Sequence, residues 1–181
     1  MKKILISTGG SGGHVVPALN FYNHLKKEFE VILYTDKRGA KYFPKEVEKT
    51  IFDVKKFPEK KIFFPFKIIT LFFALIKSII YMRKFNYDII ISTGGYMSLP
   101  IVVASRLYNK KIFLFEPNSI IGKSNKFLLK FSEKLLCYDI NLKDLNKKYK
   151  DKILKLPPIL NKCFYNKTNE IKIVDNTIKM L

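Results

Sequence analysis

Residues 7–14 read Ser-Thr-Gly-Gly-Ser-Gly-Gly-His, and this stretch decides the fold of the chain. The apolar run from Lys3 to Ser7 predicts a short buried strand, and Pro17 predicts the first turn of a helix. Glycines let the backbone approach a ligand closely, and a helix N-terminus offers N–H groups with partial positive charge. The stretch therefore predicts a strand, a loop that binds phosphate or sugar, and a helix; the alternative is a purely structural turn.

Two common glycine-loop motifs do not fit this stretch. It lacks the Gly-Lys-Ser/Thr ending of a nucleoside-triphosphate P-loop. Val15 stands where a dinucleotide fingerprint beginning at Gly10 needs a third small residue, which disfavours a nucleotide-dependent oxidoreductase. Asp36 follows the next predicted strand, where a dehydrogenase binds ribose, and without the fingerprint we interpret it as a turn residue.

The rest of the chain alternates between strand and helix patterns, which indicates an α/β fold with a doubly wound, Rossmann-like parallel sheet. Strands are predicted at 3–7, 30–35, 50–54, 88–92, 111–115 and 134–138, and helices at 17–28, 100–107 and 141–149, the last capped by Asn141. Loops after parallel strands line one crevice, so we expect the loops that carry His14, Gly94–Ser98 and Glu116–Asn118 to converge.

Residues 62–82 are the most apolar part of the chain and predict an amphipathic helix. A membrane span needs about twenty mostly apolar residues, and Pro65, Lys67 and Lys77 interrupt this run. On a helical wheel, an arc of about 120° holds the small and polar residues, and Ile, Leu and Phe fill the remainder. The residues in that arc are Lys67, Thr70, Ala74, Lys77, Ser78, Tyr81 and Lys84.

This helix has three possible roles: it covers the sheet and also inserts partly into a membrane surface, it covers the sheet alone, or it spans the membrane. The wide apolar side and the flanking cations favour the first role. The residues predicted to contact the membrane are Phe64, Phe66, Phe72, Phe73, Ile76 and Lys77.

Composition limits the function classes. The 181 residues are 48% hydrophobic and carry a formal net charge of +19. The charge comes from lysine, since Arg38, Arg83 and Arg106 are the only arginines, so an anionic membrane surface is a better partner than nucleic acid. Cys137 and Cys163 form neither a metal-ligand spacing nor a disulfide framework, which suits a reducing compartment.

Three segments resemble the MurG family of membrane-associated glycosyltransferases. The first is Gly-Gly-Ser-Gly-Gly-His-x-x-Pro-Ala-Leu at 9–19, with Ser11 where the family has Thr. The second matches at Gly94, Gly95, Tyr96, Ser98 and Pro100. The third matches at Glu116, Asn118, Gly122, Asn125 and Lys126, whereas Phe115 and Pro117 replace the family's His and Gln. In the family's Asn-Pro-Val-Arg segment only Pro158 matches, so its Arg is missing here.

The resemblance implies an inverting transfer of N-acetylglucosamine from UDP-N-acetylglucosamine to lipid I, giving lipid II, with no metal and no further cofactor. It implies a peripheral protein on the cytoplasmic face of the bacterial inner membrane. His14 is the first candidate for the general base and Glu116 the second; the alternative for Glu116 is a strand-end carboxylate that binds backbone N–H groups. Donor contacts are expected at Ser11, Gly12, Gly13 and Asn118, and acceptor contacts at Gly94, Gly95, Tyr96 and Ser98.

The resemblance also implies a domain organisation. The family has two doubly wound domains in a GT-B arrangement, and the match covers only the first. We expect an acceptor- and membrane-binding domain at 1–166, and a linker with the start of a donor-binding domain at 167–181. A longer chain or a partner would supply the donor half. The alternative is a non-catalytic, membrane-binding subunit of a split glycosyltransferase.

Overall fold

The computed structural model describes residues 1–52, 64–96 and 98–159, together with the short segments 173–174 and 177–178. Of residues 64–68 and of those two segments it describes the backbone alone. The predicted membrane contacts Phe64 and Phe66 therefore lie outside the described side chains.

The core of the fold is a parallel sheet of seven strands. These are β1 (Lys3–Ser7), β2 (Glu30–Thr35), β3 (Thr50–Ile51), β4 (Ile89–Ser92), β5 (Lys111–Glu116), β6 (Lys134–Cys137) and β7 (Ile153–Lys155). Their order across the sheet is β3-β2-β1-β4-β5-β6-β7, which confirms the predicted doubly wound topology. A separate antiparallel pair is formed by β8 (Ile173–Val174) and β9 (Thr177–Ile178).

Helices cover both faces of the sheet. They are α1 (Gly12–Leu25), α2 (Lys37–Ala40), α3 (Phe64–Lys84), α4 (Ser98–Leu107) and α5 (Lys123–Leu128), with 3-10 turns at Leu129–Phe131 and Lys147–Lys152. Alternate residues of β1 face opposite ways, as a strand requires. Ile4 and Ile6 pack with the buried side of α1, whereas Leu5 packs with buried residues of α3, α4 and α5.

The position of β1 creates the crevice. Leu5 pairs with Ile32 of β2 on one side and with Ile90 of β4 on the other. From β1 the chain builds the sheet outward through β2 and β3, and then crosses back to start the other half at β4. Helices α1 and α4, which follow β1 and β4, therefore pack on opposite faces of the sheet, and the switch point between these two strands is where open α/β sheets form their ligand crevice.

Helix α1 begins earlier than the sequence predicts. The backbone N–H groups of His14 and Val15 donate to Ser11 O, at 3.1 and 3.2 Å, so the first turn is complete before Pro17. The predicted start at Pro17 is wrong, and this proline lies in the second turn. As a consequence, the last two glycines of the loop are the first two residues of the helix.

The predicted helix at 141–149 is also wrong. Lys143 bridges to the loop before α5, where its N–H donates to Ser119 O at 2.8 Å and its carbonyl accepts from Ile121 N at 3.2 Å. This pairing holds the backbone extended, and only the 3-10 turn at 147–152 remains. Its cap is Asn146, whose Oδ1 accepts from Lys148 N at 3.1 Å.

Helix α3 packs with its small residues inward. Ala74 and Ser78 are buried, and Ser78 Oγ donates to Ala74 O at 2.8 Å. Phe72 and Phe73 are 58% and 60% exposed. We call the exposed side, formed by Ile69, Phe72, Phe73, Ile76, Lys77 and Ile80, the outer face of α3. Within the ranges that the structure describes, no helix is long and apolar enough to cross a membrane.

We predict that Gly95→Ala destabilises the fold. Gly95 has φ +86°, and a Cβ there would lie 2.8 Å from the backbone oxygen of Gly9. We expect a loss of about 1–3 kcal/mol in the free energy of unfolding, measured by urea denaturation.

Gly13→Ala is the matched control, because a Cβ at Gly13 meets only Ser11 Oγ at 3.8 Å. As a helical residue it should stabilise the protein by about 0.5–1 kcal/mol. Equal stability of the two variants would contradict the proposed contact.

Candidate active site

The first and second glycine loops meet at the switch point of the sheet. We use these names for residues 8–11 and 93–96. The N–H of Thr93 donates to Ser7 O at 3.0 Å, and its hydroxyl donates to His14 O at 2.9 Å. Nδ1 of His14 lies 2.8 Å from Thr93 O. Three hydrogen bonds therefore join the loop after β4 to the end of β1 and the start of α1.

The contact with Thr93 decides which nitrogen of His14 carries the hydrogen. A carbonyl oxygen only accepts hydrogen bonds, so Nδ1 must donate to it. In the neutral ring Nε2 then carries the lone pair. The side chain is half-buried. The geometry thus holds a half-buried imidazole with a basic nitrogen directed away from the Thr93 carbonyl.

Gly94 packs against the Nδ1–Cε1 edge of this imidazole. It has φ +97°, and a Cβ there would lie 3.0 Å from both Cε1 and Nδ1 of His14. Asn125 Nδ2 lies on the same side, at 3.9 Å from that Cβ position. The second loop therefore needs glycine at this position to leave space for His14 at the start of α1.

The start of α1 presents polar groups at the crevice. Ser11 is exposed, and in the described structure its side chain makes no capping hydrogen bond to α1. The N–H groups of Gly12 and Gly13 belong to the first turn, where a helix offers no internal acceptor. The Tyr42 ring packs 3.4 Å from the Cβ position of Gly12. A helix start of this kind is suited to bind an anion such as a sugar diphosphate.

The third loop, residues 116–122, is organised by the Glu116 carboxylate. Oε1 accepts from the backbone and side-chain nitrogens of Asn118, at 3.3 and 2.9 Å. Oε2 accepts from Gly122 N at 2.8 Å and from Asn125 Nδ2 at 3.0 Å. Glu116 is 2% exposed, whereas Asn118 is exposed. These contacts are those of a strand-end carboxylate that binds backbone N–H groups, and its role as a base stays a prediction.

Asp36 has the structural role that the sequence indicates. Its Oδ1 caps α2 by accepting from Gly39 N at 2.7 Å, and it also accepts from Gly10 N at 3.0 Å. The carboxylate is buried at the end of β2. It therefore ties the first glycine loop to α2 and occupies no ribose-binding position.

Arg38 is a candidate functional residue that the sequence analysis missed. Its Nε lies 3.3 Å from Asp36 Oδ2, and its guanidinium lies over the Tyr96 ring at 5.1 Å from the centroid. The side chain remains 45% exposed beside Gly10. A partly exposed arginine between two glycine loops suits an anionic ligand. The available signal was its position just after a strand end, in a chain with few arginines.

The predicted acceptor residues divide into two groups. The first group, Gly94, Gly95 and Tyr96, lies in the second loop itself, where the glycines offer backbone groups and Tyr96 offers its ring. Ser98 is fully buried, and its Oγ donates to Gly94 O at 2.8 Å, so it shapes the loop from within. Among the residues that the structure describes, no three His, Cys, Asp or Glu side chains are grouped to hold a metal ion.

The parallel sheet with glycine loops at its switch point defines the N-terminal half of a GT-B type glycosyltransferase. The chain belongs to the glycosyltransferase family 28 N-terminal domain family, whose model matches residues 4–137. The fold described above is therefore that of a transferase domain. His14, the first candidate for the base, lies within the matched residues.

Comparison with sequence relatives shows which members of this family the chain resembles. The chain is 46% identical over 181 residues to the UDP-N-acetylglucosamine–N-acetylmuramyl-(pentapeptide) pyrophosphoryl-undecaprenol N-acetylglucosamine transferase of Pelagibacter ubique, covering 99% of this chain and 51% of that protein. It is 38% identical over 136 residues to the protein of the same name from Aquifex aeolicus, covering 74% and 39%. The resemblance to MurG is confirmed. The chain spans about half the length of the Pelagibacter protein and less of the Aquifex one.

Solved structures agree on the fold. MurG of Acinetobacter baumannii superposes with a TM-score of 0.68 at 21% identity, over 81% of this chain and 44% of that one. UDP-N-acetylglucosamine 2-epimerase of Rickettsia bellii superposes with a TM-score of 0.67 at 12% identity, over 97% and 50%. At these identities the superpositions establish the fold alone.

We predict that Gly94→Ala displaces the His14 ring. In the wild-type protein at neutral pH, ¹⁵N NMR should find the ring hydrogen on Nδ1, because Thr93 O accepts it. A methyl group at residue 94 would push the ring from that carbonyl, so we expect a different tautomer balance. His24 is the only other histidine and serves as an internal control. An unchanged His14 spectrum in the variant would contradict this packing.

Proposed function

We propose that this domain is the acceptor-binding half of an inverting transferase that moves N-acetylglucosamine from UDP-N-acetylglucosamine to lipid I, giving lipid II in peptidoglycan synthesis. The observation that carries the proposal is the joint between the first two glycine loops, which holds the His14 imidazole in one tautomer at the switch point. The 46% identity to a transferase of pyrophosphoryl-undecaprenol substrates supports the choice of acceptor.

The reaction needs a base on the acceptor side. The acceptor 4-hydroxyl oxygen forms a bond to the anomeric carbon, the bond from that carbon to UDP breaks, and the hydroxyl proton must leave. Nε2 of His14 takes that proton, and the hydrogen bond from Nδ1 to Thr93 O stabilises the cation that results. In this proposal a donor-binding domain supplies most contacts to the departing UDP; the chain spans about half the length of its Pelagibacter relative.

The other site residues take supporting roles in this proposal. Ser11, Gly12 and Gly13 contact the donor diphosphate or sugar, and Arg38 adds positive charge next to them. Gly94, Gly95 and Tyr96 hold the acceptor, and Ser98 acts as a positioning residue behind them. Glu116 stays the second candidate base. Its four hydrogen bonds support the alternative role, in which it presents Asn118 to the substrate.

We predict that His14→Ala in a full-length transferase that carries this domain lowers kcat by about 10²–10⁴-fold, because it removes the general base. The unfolding midpoint should fall only slightly, since the ring is half-buried and two of the three hydrogen bonds at this joint do not involve it. Steady-state kinetics with both substrates measure the change in kcat.

His24→Ala is the control, because it removes the other histidine on α1. Turnover of His14→Ala near the wild-type rate would exclude His14 as the base. It would favour Glu116, the second candidate base, instead.

We also propose that the domain binds the anionic cytoplasmic surface of the bacterial inner membrane peripherally. The support is the orientation of α3, which buries Ala74 and Ser78 and exposes Phe72 and Phe73. Burying large apolar side chains in the interior is the usual outcome in a water-soluble domain, so this arrangement suits a second apolar surface. The net charge of +19 adds attraction to anionic lipid.

We predict that the double substitution Phe72→Ser and Phe73→Ser weakens binding to vesicles that contain anionic phospholipid by at least about tenfold, since each exposed ring loses its apolar contact. Vesicle sedimentation at two salt concentrations measures the apolar and charged contributions separately.

The matched control is Ile140→Ser with Leu154→Ser, two exposed apolar residues outside α3. If both double variants bind vesicles as tightly as the wild type, the outer face of α3 is not the membrane contact.

A further inference from the structure

An apolar cavity of about 440 Å³ lies between three helices, apart from the crevice described above. Leu71 and Leu75 of α3 form one wall, Leu99 and Val103 of α4 form the second, and Phe127 of α5 closes the third. Its volume lies within the range of about 300–1,000 Å³ that is typical of small-molecule sites. None of the groups assigned above to donor, acceptor or base lines this cavity.

The mouth of the cavity carries positive charge. Lys123, which is exposed, belongs to its lining, and the Lys130 ammonium lies over the Phe127 ring at 4.5 Å from the centroid. An apolar interior with a cation at the mouth matches an aliphatic chain that ends in an anionic group. A neutral apolar ligand would leave Lys123 without a counter-charge at the mouth.

Two lining residues of the cavity, Leu99 and Lys123, lie close in sequence to the second and third loops. Leu99 follows Ser98, whose hydroxyl and N–H bind Gly94 O and Gly95 O at 2.8 and 3.2 Å. Lys123 follows Gly122, whose N–H binds the Glu116 carboxylate at 2.8 Å. A ligand whose chain lies in this cavity therefore has its head group close to the loops proposed to hold the acceptor. On α3, Leu71 stands next to Phe72 of the outer face.

We propose that this cavity binds the phosphate-proximal isoprenoid units of the polyprenyl diphosphate acceptor, with Lys123 paired to its phosphate oxygens. The inference rests on the proposed function and extends it, because it places the start of the lipid chain inside the protein. The rest of a long chain passes over the outer face of α3 into the bilayer. The domain then recognises the acceptor by its lipid as well as by its sugar.

The test measures binding of geranylgeranyl diphosphate, a water-dispersible polyprenyl diphosphate, to the purified chain without vesicles. Val103→Phe and Leu71→Phe fill the cavity from opposite walls, so failure of one variant to fold leaves the other. Each should weaken binding by at least about tenfold, the loss of roughly two buried methylene groups. Leu154→Phe adds the same ring on β7, away from the cavity, and should bind like the wild type.

Two further binding measurements identify the chemical class of the ligand. Lys123→Gln should weaken binding of geranylgeranyl diphosphate by about two- to fivefold and leave binding of geranylgeraniol unchanged, because an exposed ion pair contributes modestly. Binding of palmitate tests whether the cavity instead takes an acyl chain of a bilayer lipid. Equal binding of palmitate and geranylgeranyl diphosphate, or wild-type binding by both cavity-filling variants, would overturn the proposal.

Kinetic measurements on a full-length transferase test the cavity proposal separately from the proposed reaction. In a full-length transferase, Val103→Phe should raise the KM for the lipid acceptor and leave the KM for UDP-N-acetylglucosamine unchanged. Unchanged acceptor KM would overturn the cavity proposal even if transfer is normal. Cavity-dependent probe binding in a protein that transfers no N-acetylglucosamine would support the cavity and contradict the proposed function.

Discussion

The hydrogen bonds between His14 and Thr93 are the interaction on which the site depends. They run in both directions, from the imidazole to one backbone carbonyl and from the threonine hydroxyl to another, at 2.8 and 2.9 Å. This pairing is possible because β1 and β4 are neighbours, with Ser7 opposite Ser92 in register. Gly94 and Gly95 then pass close to the histidine ring and to Gly9, where a side chain would collide. One joint thus sets the shape of both loops and the tautomer of the candidate base.

The buried carboxylates show how the loops around this joint are held. Asp36 accepts backbone hydrogen bonds from the first loop and from α2, and Glu116 does the same within the third loop. A buried carboxylate is stable only when its oxygens are hydrogen-bonded, and N–H groups of tight loops supply those bonds. Each acidic residue at the end of a strand therefore makes a flexible, glycine-containing segment rigid.

Helix α3 joins two kinds of surface in one element. Its small residues allow close approach to the domain, where Ala74 and Ser78 are buried, and its large apolar residues remain on the outside. Between these two sides, Leu71 and Leu75 line the cavity with α4 and α5. Under the proposals made above, the same helix serves the core, a lipid chain and a bilayer surface, each through a different side. The sequence shows the amphipathic pattern of α3, but it does not show which side of the helix faces the core.

The sequence by itself determined six of the seven strands of the sheet, all except β7, together with the glycine loops and the class of fold. Strands β1 and β2 match their predicted bounds because buried parallel strands are short apolar runs bounded by glycine or charge, which is a local signal. The glycine spacing also identified His14 and the three loops. Tertiary structure decided the rest. Helix α1 starts at Gly12, and residues 141–146 form no helix, because contacts with distant segments outweigh local propensity. The place of Arg38 over Tyr96, and the cavity between three helices, depend on elements that meet only in the folded chain.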